Sequence, residues 1–257
     1  MSETTNESSG VGSRNCEACR DGFELPFSFS MAFQPIIDLE SREVFAYEAL
    51  VRGSDGESAA SVLGQVDEEN RYRFDQACRV KAIELAAGLD RTQRISINFL
   101  PNAVYEPATC IRATLESARK HDFPLKNIMF EFTEGERMIE VDHVKGIVEE
   151  YKRNGLMTAI DDFGAGFAGL NLLSRFQPDV IKIDMDLTRE IHREPMKQAI
   201  VEAVLDVCRK FDIKVIAEGI ETPEEMEFLK SIDVRLFQGY LFARPAFEAH
   251  PAIAWPA

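Results

Sequence analysis

Residues 157–162 read MTAIDD, an apolar run of strand type that stops at two carboxylates, Asp161 and Asp162. Working outward, the same design recurs on both sides. Upstream, IMFE ends at Glu131, ISIN at Asn98 and VFAYE at Glu48; downstream, Lys182 follows DVI, VIAE ends at Glu218 and RLFQ ends at Gln238. A polar group closing each successive β-like run is how a (β/α) barrel reads along its chain, because such a barrel keeps its chemistry at the C-terminal ends of parallel strands. One acid after one strand means little. Seven runs in register are hard to explain by chance.

The segments between the runs carry helical periodicity. Helices are expected over 70–88, 107–120, 139–153, 196–211 and 222–231, with a short one near 168–174, alternating with strands 94–100, 127–132, 156–161, 179–183, 213–218 and 234–238. The first two strands, MAFQPIID and REVFAYEALVRG, are joined by a turn around Glu40 to Arg42 that is too short for a crossover helix, so this pair is antiparallel. The fold class is therefore α/β: a modified (β/α)8 TIM barrel with an antiparallel first strand. Two boundaries are chemically marked. Thr222 stands as N-cap before Pro223 at the first helical position, and Gly155 follows Arg153-Asn154 where a left-handed helix cap is needed.

Composition bounds the rest. At 257 residues the chain suits one barrel, and no run approaches the ~18 apolar residues of a membrane helix. With 29 basic and 44 acidic residues the formal charge is −15, a field that repels DNA and RNA. Residues 1–22 have the Ser, Thr, Asn and Gly content of a disordered tail and lack the basic start and apolar core of an export signal, so residues 23–257 are expected to form the domain and the location to be cytoplasmic. Five cysteines at scattered spacings fit reduced thiols, with Cys78, Cys110 and Cys208 in helical patterns.

Glu48, Asn98, Glu131, Asp161, Asp162 and Glu218 are hard oxygen donors, a set that selects Mg²⁺ or Mn²⁺ over zinc. Two such ions ~4 Å apart, sharing a carboxylate from the Asp161-Asp162 pair, suit in-line attack on a phosphodiester. Lys182 is the lone cation of the row. Burial beside metal ions is expected to lower its pKa and make it a proton acceptor, the alternative being a salt bridge to a neighbouring acid. Asn98 has a second possible job in the turn leading to Pro101, and Glu48 reads either as a ligand or as a solvated strand-end acid.

The segments YEALVR (47–52), SINFLP (96–101), FEFTE (130–134), AIDDFGAGFAGL (159–170), IKID (181–184), IAEGIET (216–222) and FQGYLFARP (237–245) together resemble the EAL-domain family over about residues 31–245. The resemblance implies hydrolysis of the bacterial messenger cyclic di-GMP to linear pGpG with two Mg²⁺ or Mn²⁺ ions. It implies catalytic roles for Lys182, Glu48, Asp162 and Glu134, with Glu134 anchoring the loop after Asp162. It also implies nucleotide contacts at Gln34, Leu50, Arg52, Asp184, Gln238 and Pro245. From chemistry alone, Arg52 suits a bidentate phosphate contact, while Gln34 and Gln238 serve either a guanine edge or the barrel interior. Family members commonly dimerise near the loop after Asp162. The loop DDFGAGFAGL departs from the commoner DDFGTGYSSL at Ala165, Phe167, Ala168 and Gly169, which leaves open a silent domain that binds the nucleotide or a regulatory protein partner.

Other signals lead elsewhere. Gly164, Gly166 and Gly169 spell GxGxxG with Asp184 some twenty residues on, but Asp161 and Asp162 would repel a pyrophosphate. Cys16 and Cys19 form a CxxC without the second pair of ligands that a structural zinc needs. His121, His143, His192 and His250 lie outside every motif, and there is no GxSxG.

Overall fold

The computed structural model describes residues 25–101, 104, 106–133, 141–165 and 173–256. The tail with its CxxC, Glu134, Gly166, Gly169 and the expected helix near 168–174, but for its last two residues, lie outside them. Strands β1 (Phe29–Asp38), β2 (Glu43–Gly53), β3 (Ile95–Asn98), β4 (Ile128–Thr133), β5 (Met157–Phe163), β6 (Val180–Ile183), β7 (Lys214–Ala217) and β8 (Leu236–Phe237) pair in chain order. β2 to β8 run parallel, and β1 closes the barrel by pairing antiparallel with β2 on one side and β8 on the other. The expected antiparallel start is present. A ninth short strand, β9 (Ala246–Phe247), which periodicity did not reveal, pairs with β1 at Ala32 and Phe33.

Period-two alternation along the strands explains why the barrel carries a site at all. One inward residue from each of seven strands, Ile36, Ala46, Met129, Ala159, Val180, Ile216 and Leu236, forms an apolar plug. Two residues on toward the rim, the inward positions become Gln34, Glu48, Glu131, Asp161, Lys182, Glu218 and Gln238, with Ser96 contributed by β3. An apolar layer thus floors a polar one. The alternate residues, such as Ile97, Phe130, Ile160 and Ile181, face the helices and belong to the main core. Burying side chains of this size stabilises by roughly 1.5–3 kcal/mol each, which offsets the cost of gathering charge above the plug.

Candidate active site

Lys182 is the hub of the polar layer. Its Nζ lies 2.8 Å from Glu131 Oε2, 2.9 Å from Glu218 Oε1, 3.0 Å from Asp161 Oδ1 and 3.5 Å from Glu48 Oε2. Glu131 is fully buried, its other oxygen accepting from the Ser96 hydroxyl. Glu48 is held from two sides, by Asn98 Nδ2 at 3.0 Å and Gln238 Nε2 at 2.6 Å. Gln34, beside Glu48 in register, accepts from Gln238 at 3.3 Å and donates to the Ala243 carbonyl at 3.1 Å.

Asp161 and Asp162 reach the same space through a bulge. Between the pairs Ile160–Ile181 and Phe163–Ile183, β5 places two residues opposite the single Lys182. In an unbroken strand consecutive side chains point to opposite faces; here Asp162 takes a left-handed φ of 52°, and both carboxylates line one cavity. Left-handed backbone is costly for most residues and comparatively accessible to Asp.

This cavity has a volume of about 290 Å³. It brings together the expected residues Gln34, Glu48, Leu50, Asp161, Asp162, Lys182, Asp184, Glu218 and Gln238. Glu131 lies beneath it, and Asn98 enters through Glu48. Arg52 lines a neighbouring apolar cavity with Leu50 and Asn98, its guanidinium donating to the Val51 carbonyl, and Pro245 is not in the wall. Met185, Glu221 and Tyr240 line the cavity without having been expected. Glu221 stands three residues after Glu218 in IAEGIET and Tyr240 two after Gln238 in FQGY, so proximity to a strand end was their available signal.

Without metal ions, the electrostatics of Lys182 run opposite to what was expected beside them. Burial does press the Lys182 pKa downward, and it is the largest single influence, but Asp161, Glu131, Glu218 and Glu48 together outweigh it and hold the amine well above the ordinary lysine value. Lys182 is a cation here, and the salt-bridge reading of its sequence holds. The acids are pushed the other way. Glu131 rises to about 8 and Glu218 well above its usual range, each chiefly through burial. Asp162 rises to about 6 through burial, with Asp161 and Asp184 adding to it.

Two carboxylate triads have ligand atoms within 4.8 Å of one another: Glu48, Glu131 and Asp161, and Asp161, Asp162 and Glu218. They share Asp161, whose Oδ1 lies 3.0 Å from Lys182 Nζ. Oxygen-only donors, and among the described residues of the cavity acid in excess of the single cation Lys182, fit hard divalent cations.

A closed barrel with an antiparallel first strand and an oxygen-donor cluster on its rim defines the class: a TIM-barrel-like protein with an acidic site. The family model described as EAL domain matches residues 18–245, and the chain belongs to that family. A standalone EAL protein from Vibrio cholerae O395, solved in its c-di-GMP bound form, superposes with a TM-score of 0.87 at 54% identity, covering 90% of this chain and 98% of that one. The blue light- and temperature-regulated antirepressor BluF of Escherichia coli K12 is 38% identical over 88% of this chain and 56% of its own length. The cyclic di-GMP phosphodiesterase NbdA of Pseudomonas aeruginosa is 31% identical over 83% of this chain and 28% of its own length. The chain therefore spans about half or less of these two relatives.

Proposed function

We propose that the chain hydrolyses cyclic di-GMP to linear pGpG, using Mg²⁺ or Mn²⁺ held by Glu48, Asn98, Glu131, Asp161, Asp162 and Glu218. The observation that carries this reading is the pair of carboxylate triads joined at Asp161 in one cavity. When bound, two such ions supply positive charge to the attacking and leaving oxygens of a phosphodiester. The chain's own residues do the rest. Gln238 and Asn98 fix the rotamer of Glu48 from opposite sides. Lys182 is a fixed donor whose Nζ orients an incoming water and compensates the acids. Gln238 turns its amide nitrogen to Glu48, leaving a buried Oε1 without a partner as acceptor for a guanine N–H.

Gln34, Leu50, Asp184 and, at the margin, Arg52 and Pro245 complete the proposed nucleotide site, and Glu134 the anchor of the loop after Asp162. Free buried Cys78, Cys110 and Cys208 support a reducing cytoplasmic location. No described helix is long and apolar enough to cross a membrane. A homodimer formed through helices near the loop after Asp162 belongs to the same proposed reading.

The deciding experiment is incubation with cyclic di-GMP and Mg²⁺ or Mn²⁺, followed by chromatography for pGpG. A second reading, a regulatory module that binds nucleotide or a protein partner without turnover, is favoured by the likeness to an antirepressor. Nucleotide bound with no pGpG formed would establish it.

A further inference from the structure

An ion pair is buried outside the polar layer, on the helix side of β3. Asp75 and Arg79 lie one turn apart on the helix Arg71–Leu89, with Arg79 Nη2 at 2.6 Å from Asp75 Oδ2 and both side chains essentially excluded from solvent. The guanidinium donates to the Tyr151 hydroxyl at 2.9 Å and sits 5.2 and 5.1 Å from the ring centroids of Phe99 and Phe130. Such a pair is a poor device for stability, since apolar residues of similar volume often serve as well. Its geometry points to another job.

Asp75 Oδ1 accepts from the backbone N–H of Leu100 at 2.9 Å. Leu100 ends a run of three residues that each hold something different: Asn98 donates to Glu48, Phe99 N donates to the Glu131 carbonyl at 2.9 Å, and Leu100 N donates to Asp75. β3 itself stops at Asn98 and Phe99 N makes the last bond to β4, so at Leu100 the contact to Asp75 takes the place of a ladder hydrogen bond. We infer that Asp75 is a positioning residue: it anchors the turn that presents Asn98 to Glu48, and Arg79, wedged between two rings and Tyr151, locks the rotamer of Asp75. The inference rests on the proposed role of Asn98 and Glu48 as metal-site residues.

Two double variants separate positioning from bulk stability. Asp75→Asn/Arg79→Met and Asp75→Leu/Arg79→Met both discard the buried charges, but only the first keeps an oxygen facing Leu100 N. The expected result is similar melting temperatures, with Mn²⁺ affinity by calorimetry and kcat on cyclic di-GMP preserved within about threefold in the asparagine variant. The leucine variant should lose about tenfold or more in both, with KM changed by no more than about twofold. Equal Mn²⁺ affinity and kcat in the two variants would overturn the inference. If the leucine variant does not fold, Leu100→Pro removes the same hydrogen bond from the donor side, and wild-type Mn²⁺ affinity there would be equally fatal. A wild-type protein that makes no pGpG refutes the phosphodiesterase reading alone; the Mn²⁺ titrations then decide this one.

Discussion

Asp162 and Glu131 hold protons in the folded chain that they would release when unfolded, and this gives the metal-free protein a characteristic pH response. Their ordinary values, 3.8 and 4.5, become about 6 and about 8. Between those limits the native state binds more protons than the unfolded one, so stability falls as pH rises from about 4 to about 8. Lys182 does not oppose this slope, because an amine raised above 10.5 contributes stability throughout that range and loses it only at higher pH. In EDTA the melting temperature should therefore drop between about pH 5 and pH 8, and saturating Mn²⁺, which displaces those protons, should flatten or reverse the trend. A melting temperature in EDTA that stays level or rises across this range would contradict the charge balance read from the site. Lys182→Ala tests the other half: it leaves the buried acids without their cation, so metal-free stability should fall by about 3–5 kcal/mol above about pH 8, where Glu131 is ionised, and by less below it. Turnover should fall by about a hundredfold or more even with Mn²⁺ present, as followed by pGpG release. Near-normal turnover would remove Lys182 from the chemistry.

At the scale of elements, the helix Pro223–Ser231 shows how an end cap is tied to the site. Thr222 and Glu225 form a reciprocal capping box, as the order Thr-Pro-Glu-Glu foretold for the Thr222 cap. Glu225 does more, accepting from the backbone N–H groups of Glu190, Glu221 and Thr222 at 2.9, 3.1 and 3.1 Å. It thereby ties the chain after Glu218 to the loop after β6. Glu225→Ala should cost about 2 kcal/mol or more by denaturant unfolding, and it should lower turnover by loosening Glu221 and Glu218, whereas Glu225→Gln, which keeps one acceptor oxygen in place of two, should recover only part of the stability. Equal losses in the two variants would mean that both carboxylate oxygens are needed together, and no loss in the alanine variant would remove Glu225 from the tie.

The same elements show what was legible beforehand. Strand order follows from the alternation of strand and helix patterns, the antiparallel start from the short turn at Glu40 to Arg42, and the polar strand ends from where each apolar run stops, all of which local sequence carries. Ser96 escaped because it lies within its strand, not at its end. The bulge at Asp161-Asp162 escaped because a left-handed φ leaves no trace in hydropathy, and β9 because two residues have no period. The sign of the Lys182 shift depends on how many acids converge from four other strands, a tertiary count that no single segment contains. Gly239 is similar: a Cβ there would sit 2.0 Å from the Ile220 carbonyl oxygen, a constraint set by a neighbour nineteen residues away.

For the whole molecule, closure of the barrel and the wall of the cavity are one structural problem. β1 receives β8 at Ile37 and Asp38 and β9 at Ala32 and Phe33, so residues 239–245 bow out between two strands that grip the same partner. Gln34 fills the gap from β1 by donating to Ala243, and Leu241 N donates to the Ile220 carbonyl at 3.0 Å. Beyond β9, Glu248 N reaches the Met31 carbonyl at 2.9 Å and Ala254 N the Phe242 carbonyl at 2.8 Å. The final segment thus straps the wall that carries Gly239 and Tyr240 to the closing strand. Removing residues 246–257 leaves all eight barrel strands in place, so the protein should still fold, with a melting temperature lower by several degrees. The wall would then be held at its β8 end, by Ile220 and by the Gln34 contact to Ala243. Because that wall bears Tyr240 and follows Gln238 but carries no carboxylate of either triad, KM for cyclic di-GMP should rise more than kcat falls, and Mn²⁺ affinity should change little. A loss confined to kcat and Mn²⁺ affinity would instead show that the strap governs the acidic cluster, through Gln238 and its 2.6 Å contact to Glu48.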